Sequence, residues 1–199
     1  MTRPTMRQLR PAVTMTLALC VLTGLVYPAV VTALTQVLFP RQANGSLVTV
    51  RGRVVGSALI GQPFTRPEYF HPRPSAAGSG YDATASGGSN KGPTDRKLAD
   101  TLIAARVDSA VAADGAVKGR VPSDMVTASA SGLDPDISPA NARLQVTRVA
   151  HARSADPAAV RRLVDAHTQG RQLGLFGEPR VNVLLVNIAL DSAFPTRAR

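Results

Sequence analysis

The sequence predicts a mixed α/β protein in which a single N-terminal transmembrane helix carries a small α/β domain with a central buried strand. Three observations carry this prediction. The stretch from Pro11 to Pro40 has no charged residue, Ser-Pro and Asp-Pro pairs mark helix starts at 138–139 and 156–157, and residues 181–190 form a continuous apolar run. We expect a cytoplasmic tail at residues 1–10, the membrane helix at 11–40 and an extracytoplasmic domain at 41–199.

The composition is that of a protein with an aliphatic core. Of 199 residues, 44% are hydrophobic, only 4% are aromatic and none is tryptophan. The single cysteine, Cys20, excludes an internal disulfide. The formal charge of +10 comes from arginines that are scattered among acids, so it indicates a solvated surface and not a nucleic-acid site. Anionic lipid headgroups and an acidic protein face stay open as partners.

The charge-free stretch is long enough to cross a membrane. About 20 apolar residues span the hydrocarbon core, and Val13–Phe39 exceeds that length. Arginines at positions 3, 7 and 10 stand just before it, so the positive-inside rule places the N-terminus in the cytoplasm and the rest of the chain on the other side of the membrane. A cleaved signal peptide would have a shorter apolar region and a small-residue cleavage site, so we predict an uncleaved anchor.

Within the anchor, Gly24 and Pro28 mark a kink or a close contact with another helix. Several polar side chains accompany them: Thr14, Thr16, Thr23, Thr32, Thr35 and Gln36. Each threonine can bond its own i−4 carbonyl instead of a neighbour. Taken together, these residues favour a helix that packs against other helices, with Gly24 and Pro28 as contact candidates.

The first part of the outer domain is poor in regular structure. Alternation around Gly52 predicts one or two strands from Leu47. Residues 66–93 are rich in proline, glycine and serine and predict a long loop, which is functional or disordered in most proteins. The aromatic residues Tyr69, Phe70 and Tyr81 favour an ordered loop that packs against something.

The second part predicts three helices and two extended segments. Thr94 or Asp95 caps a helix to about Val111, whose packed face holds Leu98, Leu102, Ala105 and Val111. Residues 121–130 predict a short extended piece. Ser138 and Asp156 each cap a helix that has proline at its first position. The run VNVLLVNIAL at 181–190 predicts the central strand, buried on both faces.

Patterns typical of catalytic or metal sites are sparse. The three histidines, at 71, 151 and 167, are far apart and lack a metal-ligand spacing. No G-x-S-x-G sequence marks a serine nucleophile. We therefore expect no catalytic residue, metal ligand or directly bound cofactor in this chain.

The segment SGGSNKGP at 86–93 resembles a phosphate-binding loop in composition. The weak candidates for nucleotide binding are Ser86, Gly87, Gly88, Ser89, Asn90 and Lys91. Lys91 is followed by Gly92, where a P-loop has the hydroxyl residue that holds magnesium, and the motif's first glycine is missing. Three interpretations stay open: an anion-binding nest, a structural turn cluster and a protein-contact loop.

Several long blocks together strongly resemble the C subunit of the Kdp-type potassium-transporting ATPase of bacteria. They read LVYPAVVTALTQVLFP (25–40), GSALIGQPFTRPEYFHPRPS (56–75), YDATASGGSNKGP (81–93), SASGLDPDISPANARLQVTRVAHAR (129–153) and GEPRVNVLLVNIALD (177–191). Residues 1–10 and those after Asp191 match no block. HPRP at 71–74 has proline where the family pattern leads us to expect glycine, which leaves the local backbone shape open.

The resemblance implies membership of a four-part, ATP-driven potassium uptake complex in the bacterial inner membrane, which this chain would cross once. Its other parts would be a channel-like subunit, a P-type ATPase subunit and a small single-helix subunit, and the complex would handle ATP and potassium. The family's C subunit is described as needed for assembly and as a catalytic chaperone that raises the ATP affinity of the ATPase subunit. Candidate partner contacts in the outer loop are Tyr69, Phe70, Arg73 and Tyr81.

Three functional hypotheses follow. In the first, this chain is a non-catalytic accessory subunit, and an extracytoplasmic domain acts on ATP affinity only allosterically, through the membrane helix. In the second, it is a nucleotide-binding regulator that contacts ATP through Ser86–Lys91, which requires a cytoplasmic domain. In the third, it is a stand-alone membrane-anchored binding protein.

Overall fold

The computed structural model describes the backbone of residues 3–195 and the side chains of residues 7–195. Predictions for residues 1–2 and 196–199 lie outside the described residues. The chain divides into two units, Met1–Leu47 and Val48–Arg199. The first unit is helical, and the second combines helices and strands.

The first unit is dominated by one long apolar helix. Helix α1 (Arg3–Val21) continues through a π-helical turn (Leu22–Val26) into α2 (Tyr27–Leu38), and a short helix α3 (Pro40–Ala43) follows. The 32 residues Arg7–Leu38 are long and apolar enough to cross a membrane, and none of the apolar window is buried. Length and composition therefore agree with the predicted span.

The π-helical turn lies where the sequence predicts a disturbance. It contains Gly24 and ends two residues before Pro28. Proline has no N–H to donate to the carbonyl four residues earlier, and its ring crowds that carbonyl. A wider turn relieves the clash.

Threonines of this helix bond their own backbone. The hydroxyls of Thr14, Thr23 and Thr35 donate to the carbonyls of Arg10, Leu19 and Val31 at 2.7–2.9 Å. The local alternative therefore holds for these three residues. Such bonds satisfy the hydroxyl without a partner helix.

The second unit begins with a two-stranded hairpin. Strands β1 (Leu47–Val50) and β2 (Arg53–Ser57) pair across a turn in which Arg51 and Gly52 have φ of 50° and 78°. Positive φ at both central residues gives the turn a twist that matches that of the strands. The predicted strands around Gly52 are confirmed.

Residues 58–95 contain no helix or strand. A π-helical segment (Lys97–Ile103) then leads into α4 (Ala104–Asp114), which ends at Gly115 with φ of 67°. Asp95 caps the segment by accepting from the Leu98 amide at 2.9 Å. The predicted helix exists, but Ala105 is exposed and Ala110 is the buried residue.

Two predicted extended segments are helical in part or in most of their length. In the segment 121–130, Ser123–Val126 forms helix α5, and Asp124 in it accepts from the Ser138 amide at 2.7 Å. The prediction that residues 181–190 form a strand is wrong. Only Arg180–Asn182 is extended (β5), and Val183–Ala193 is helix α8.

The apolar run is helical because of its termini and its periodicity. The Asn182 side chain accepts from the Leu185 amide at 3.1 Å and caps the helix. The buried positions Val183, Val186 and Leu190 recur at a helical spacing. A short apolar run fits a buried strand equally well by composition, and here the cap and the tertiary contacts favour the helix.

The remaining elements build one core. Strands β3 (Asp136–Ile137) and β4 (Thr168–Gln169) flank β5 in an antiparallel sheet, and helices α6 (Pro139–Ala152) and α7 (Pro157–Ala166) complete the unit. Both proline-started helices are confirmed, with caps at Ser138 and Asp156. Buried residues of α6, α7, α8 and the sheet pack into a mostly valine core.

The cap of α7 gives a matched pair of substitutions. Asp156 accepts from the amides of Ala158 and Ala159 at 3.0 and 3.2 Å. We predict that Asp156→Ala lowers the free energy of unfolding by about 1 kcal/mol, whereas Asp156→Asn changes it by a few tenths at most, since asparagine caps equally well. Urea unfolding of the full chain measures both. Equal losses for the two variants would show that the cap is not the source of the stability.

Candidate functional site: the loop 66–93 and its seat

Buried side-chain amides hold the middle of loop 66–93. Asn187 on α8 accepts from the Phe70 amide at 2.9 Å and donates to the Phe70 carbonyl at 3.0 Å. Gln145 on α6 accepts from the His71 amide at 2.7 Å and donates to the His71 carbonyl at 3.1 Å. The two amides thus satisfy four successive backbone groups, as a neighbouring strand would. We call Gln145 and Asn187 the amide clamp.

The amide clamp works because both side chains are themselves buried. Asn187 and Gln145 are each 1% exposed, and Phe70 is fully buried in the core beside them. An unpaired backbone group at such a site costs about 1–3 kcal/mol. The loop therefore has one low-energy path, along the helices that carry the clamp.

Two arginines of α6 and its C-terminal end extend the same contact. Arg148 donates to the carbonyls of Pro67 and Tyr69 at 2.6 and 2.9 Å, and its Nε lies 2.7 Å from the Asp114 carboxylate. Arg153 donates to the Glu68 carbonyl at 2.7 Å. The guanidinium groups thus bind the three carbonyls just before the clamped residues.

Burial makes these arginines structural. The Arg148 side chain is 9% exposed beside Asp114 at 4%, and the Arg153 side chain is fully buried. A buried charge is tolerated only when it is paired and hydrogen-bonded. Arg153 meets this condition through Asp191 at 2.8 Å and the Phe194 carbonyl at 2.8 Å. Part of the basic charge, interpreted from composition as solvated surface, therefore lies inside the fold.

Tyr69 lies on the outer side of this network. Its hydroxyl donates to Asp191 at 3.1 Å, and the Arg153 guanidinium lies 4.9 Å from the centre of its ring. Burial, and then the Asp191 charge, raise the pKa of the Tyr69 hydroxyl. The half-buried ring leaves one edge at the surface, where a partner can reach it.

His71 lies in a largely buried environment, beside a positive charge, that opposes its protonation. Burial, followed by the Arg148 charge, lowers the pKa of the His71 imidazole. Its Nε2 lies 3.0 Å from the Arg66 carbonyl. Neutral His71 therefore belongs to the folded state at pH 7, and acidification that protonates it opposes folding.

The next part of the loop is held by Arg73 and Tyr81. Arg73 forms an ion pair with Asp134 at 2.8 Å, and the Tyr81 hydroxyl donates to the Arg73 carbonyl. Burial raises the pKa of Tyr81 to about 12. Ser75 links Tyr81 to Gly132, since its hydroxyl donates to the Gly132 carbonyl at 2.6 Å and accepts from the Tyr81 amide at 2.8 Å.

Residues 86–91 pack against the second serine-rich segment, 129–132. The Gly87 amide and the Ser86 hydroxyl donate to the Ser131 carbonyl at 2.9 and 3.0 Å. A Cβ on Gly132, whose φ is +66°, would lie 2.6 Å from the Gly87 carbonyl oxygen, so only glycine permits this approach. Lys91 forms an ion pair with Asp95 at 2.7 Å. This geometry is that of a turn cluster, and the nucleotide assignment of 86–91 stays a prediction.

The predicted contact residues fall into three environments. Gly24 and Pro28 are exposed on the long helix, while Tyr69, Arg73 and Tyr81 are half-buried in the loop. Phe70 is fully buried, so a direct contact between its side chain and a partner would require the domain to open. The loop itself is ordered by tertiary contacts, as its aromatic residues indicate.

A wide groove of about 1480 Å³ borders the arginine network. Arg66, Glu68, Asp114, Arg148, His151 and Arg153 are among its lining residues. Most of these polar groups already bond one another or the loop backbone. Among the described residues, no group of three or more histidine, cysteine or acidic side chains is placed to hold a metal ion.

Sequence reasoning missed the residues that organise this site: Gln145, Arg148, Arg153 and Asn187, together with Asn141, whose side-chain oxygen accepts from the Gln145 side-chain amide at 2.8 Å. The sequence contains a signal for two of them. Gln145 lies beside the apolar residue Val146, and Asn187 lies within the apolar run VLLVNIAL. A lone amide on an apolar face implies a buried partner. Only the folded chain shows that the partner is the backbone of a loop far away in sequence.

The amide clamp leads to a stability prediction. We expect Asn187→Ala to lower the free energy of unfolding by about 2–4 kcal/mol, because it leaves the Phe70 amide and carbonyl buried without partners. Ser192→Ala, on the exposed side of the same helix, should change it by less than about 0.5 kcal/mol. Urea unfolding combined with limited proteolysis at 66–74 tests this. A loss of similar size in both variants would contradict the role of the clamp.

Known proteins match this chain along nearly its whole length. The KdpC family model, described as the K+-transporting ATPase, c chain, matches residues 9–192. A potassium-transporting ATPase KdpC subunit from Gemmatimonas aurantiaca is 66% identical over 192 residues, which is 96% of each chain. The subunit from Rhodospirillum rubrum is 57% identical over 190 residues, covering 96% of this chain and 98% of that protein. The chain therefore belongs to the KdpC family of potassium-transporting ATPase subunits.

Proposed function

We propose that this chain is a non-catalytic accessory subunit of an ATP-driven potassium uptake complex, anchored by its N-terminal helix. Its partners would be a channel-like subunit, a P-type ATPase subunit and a small single-helix subunit. Family membership supports the complex. The single observation that carries the accessory role is the set of contacts from Arg148, Arg153 and the amide clamp that holds loop 66–93, which we call the loop seat. In it, charged groups fix the chain's own backbone.

The loop seat favours a binding scaffold over a catalytic centre. Arg148 and Arg153 have their donors engaged by carbonyls and by the carboxylates of Asp114 and Asp191. A general acid, base or nucleophile needs a free reactive atom within reach of a substrate. A rigid surface built from a long loop is instead suited to positioning another protein.

The proposed orientation places the domain outside the cytoplasm. Arg7 and Arg10 lie at the N-terminal end of the apolar helix, and positive residues next to a span are retained in the cytoplasm. An outer domain cannot touch cytoplasmic ATP. Any effect on ATP affinity would then be a coupling free energy, transmitted through the helix and the neighbouring subunits.

Cysteine accessibility tests this orientation. In a Cys20→Ser background, Ser89→Cys places a thiol at an exposed position of the loop, and Gln8→Cys places one at the other end of the helix. We expect a membrane-impermeant maleimide to label the Ser89→Cys variant in cells with a permeable outer envelope and an intact inner membrane. The Gln8→Cys variant should be labelled only after the inner membrane is opened. The reverse pattern would overturn the orientation and restore direct ATP contact as a candidate.

Domain deletion tests the accessory role. We expect a chain ending at residue 40 to leave the complex poorly assembled and to reduce potassium-stimulated ATPase activity per cell by about tenfold or more, because the outer surface that positions a partner is gone. The deletion variant's membrane level, measured by an N-terminal tag, is the control for expression. Normal assembly and normal activity of the complex with the shortened chain would contradict the proposal.

A further inference from the structure

The segment that connects β4 to β5 exposes three large apolar side chains in close succession. All residues from Gly170 to Pro179 are exposed, and the tip carries Leu173, Leu175 and Phe176 at 93%, 69% and 60% exposure. This connecting segment is an ordered hairpin, since Gln172 and Phe176 exchange backbone hydrogen bonds at 2.8 and 2.9 Å. We call residues Arg171–Glu178 the apolar hairpin.

The backbone of the tip is unfavourable for the residue it carries. Leu173 has φ of 54°, in the left-handed region where the Cβ of a leucine is crowded. Glycine or asparagine would be the better choice for folding at that position. A residue that is both strained and almost fully exposed contributes little to the isolated fold, so it points to a function outside the chain.

The hairpin is attached to a rigid base. It continues the β4–β5 pair, in which Thr168 faces Val181 and Gln169 faces Arg180. Val181 is fully buried in the core. The tip is therefore fixed relative to the second unit and can enter a preformed hollow at a low cost in conformational entropy.

The charges around the tip indicate which kind of surface it meets. Arg171 forms an ion pair with Glu178 at 2.8 Å, which neutralises the base of the hairpin. Arg180, where β5 begins, is paired with Asp136 at 3.2 Å. Segments that bind anionic lipid combine apolar residues with uncompensated lysine or arginine. An apolar tip on a neutralised base complements an uncharged apolar hollow in a protein.

We propose that the apolar hairpin docks, through Leu173 and Phe176, into an uncharged apolar hollow on another subunit of the potassium-transporting ATPase. The inference rests on the proposed accessory function and adds the surface that makes the contact. Burying one leucine of this exposure is sufficient for about a tenfold contribution to affinity. Leu173 is 93% exposed and gains little from burial inside the described part of the chain, so we expect the stabilisation that offsets its backbone strain to come from the partner.

Photo-crosslinking identifies the occupant directly. We place p-benzoylphenylalanine at position 173 of the full chain, in cells that produce the whole ATPase, and irradiate them. The expected product joins this chain to one other subunit of the complex. A product with lipid alone, with a second copy of this chain, or no product at all would overturn the inference.

A second measurement uses a substitution that the fold accepts. Leu173→Asn removes the apolar side chain and suits the left-handed backbone, so the thermal unfolding temperature should stay the same or rise slightly. We expect the dissociation constant between the full chain and the remaining subunits to rise about tenfold. Val117→Asn, at another apolar side chain that is 63% exposed, is the matched control and should leave it unchanged. Equal shifts in both variants, or no shift for Leu173→Asn, would contradict the docking role.

The two proposals fail in different ways. If domain deletion leaves assembly and activity normal, the accessory function itself is wrong. If deletion abolishes assembly while Leu173→Asn binds normally, only the docking role of the hairpin is overturned.

Discussion

The pairing of buried polar side chains with the backbone of residues 67–71 is the interaction on which the second unit depends. A segment with two nearby prolines and no strand partner would leave its amides and carbonyls unsatisfied inside the protein. Gln145 and Asn187 supply the missing partners for Phe70 and His71, and two arginines bind the preceding carbonyls. Phe70 can then enter the core, which joins the loop to helices α6 and α8.

This arrangement changes the meaning of the chain's basic composition. The net charge of +10 invites a search for an anionic partner, but Arg148 and Arg153 are buried against carboxylates and carbonyls of the same chain. Arginine suits this role because its planar group presents several donors in a fixed geometry. A basic residue count therefore overstates the charge that the surface offers to a ligand.

The two serine- and glycine-rich segments, 86–91 and 129–132, also pack against one another. Gly132 and Gly87 approach so closely that a side chain on Gly132 would clash. By its composition alone, such a loop resembles a phosphate-binding loop. The contacts show donors of the loop directed at Ser131, and a lysine engaged by Asp95.

Local signals in the sequence determined the long apolar helix, the place of its irregular turn near Gly24 and Pro28, the hairpin around Gly52 and the starts of α6 and α7. Each depends on residues adjacent in the chain, such as a proline without an N–H or a side chain that caps its own helix. The tertiary structure decided that residues 183–193 are a helix and that α5 is not a strand, because a short apolar run fits either state until its neighbours are known. It also decided how loop 66–93 is held, since Asn187 and Phe70 meet only after the chain has folded.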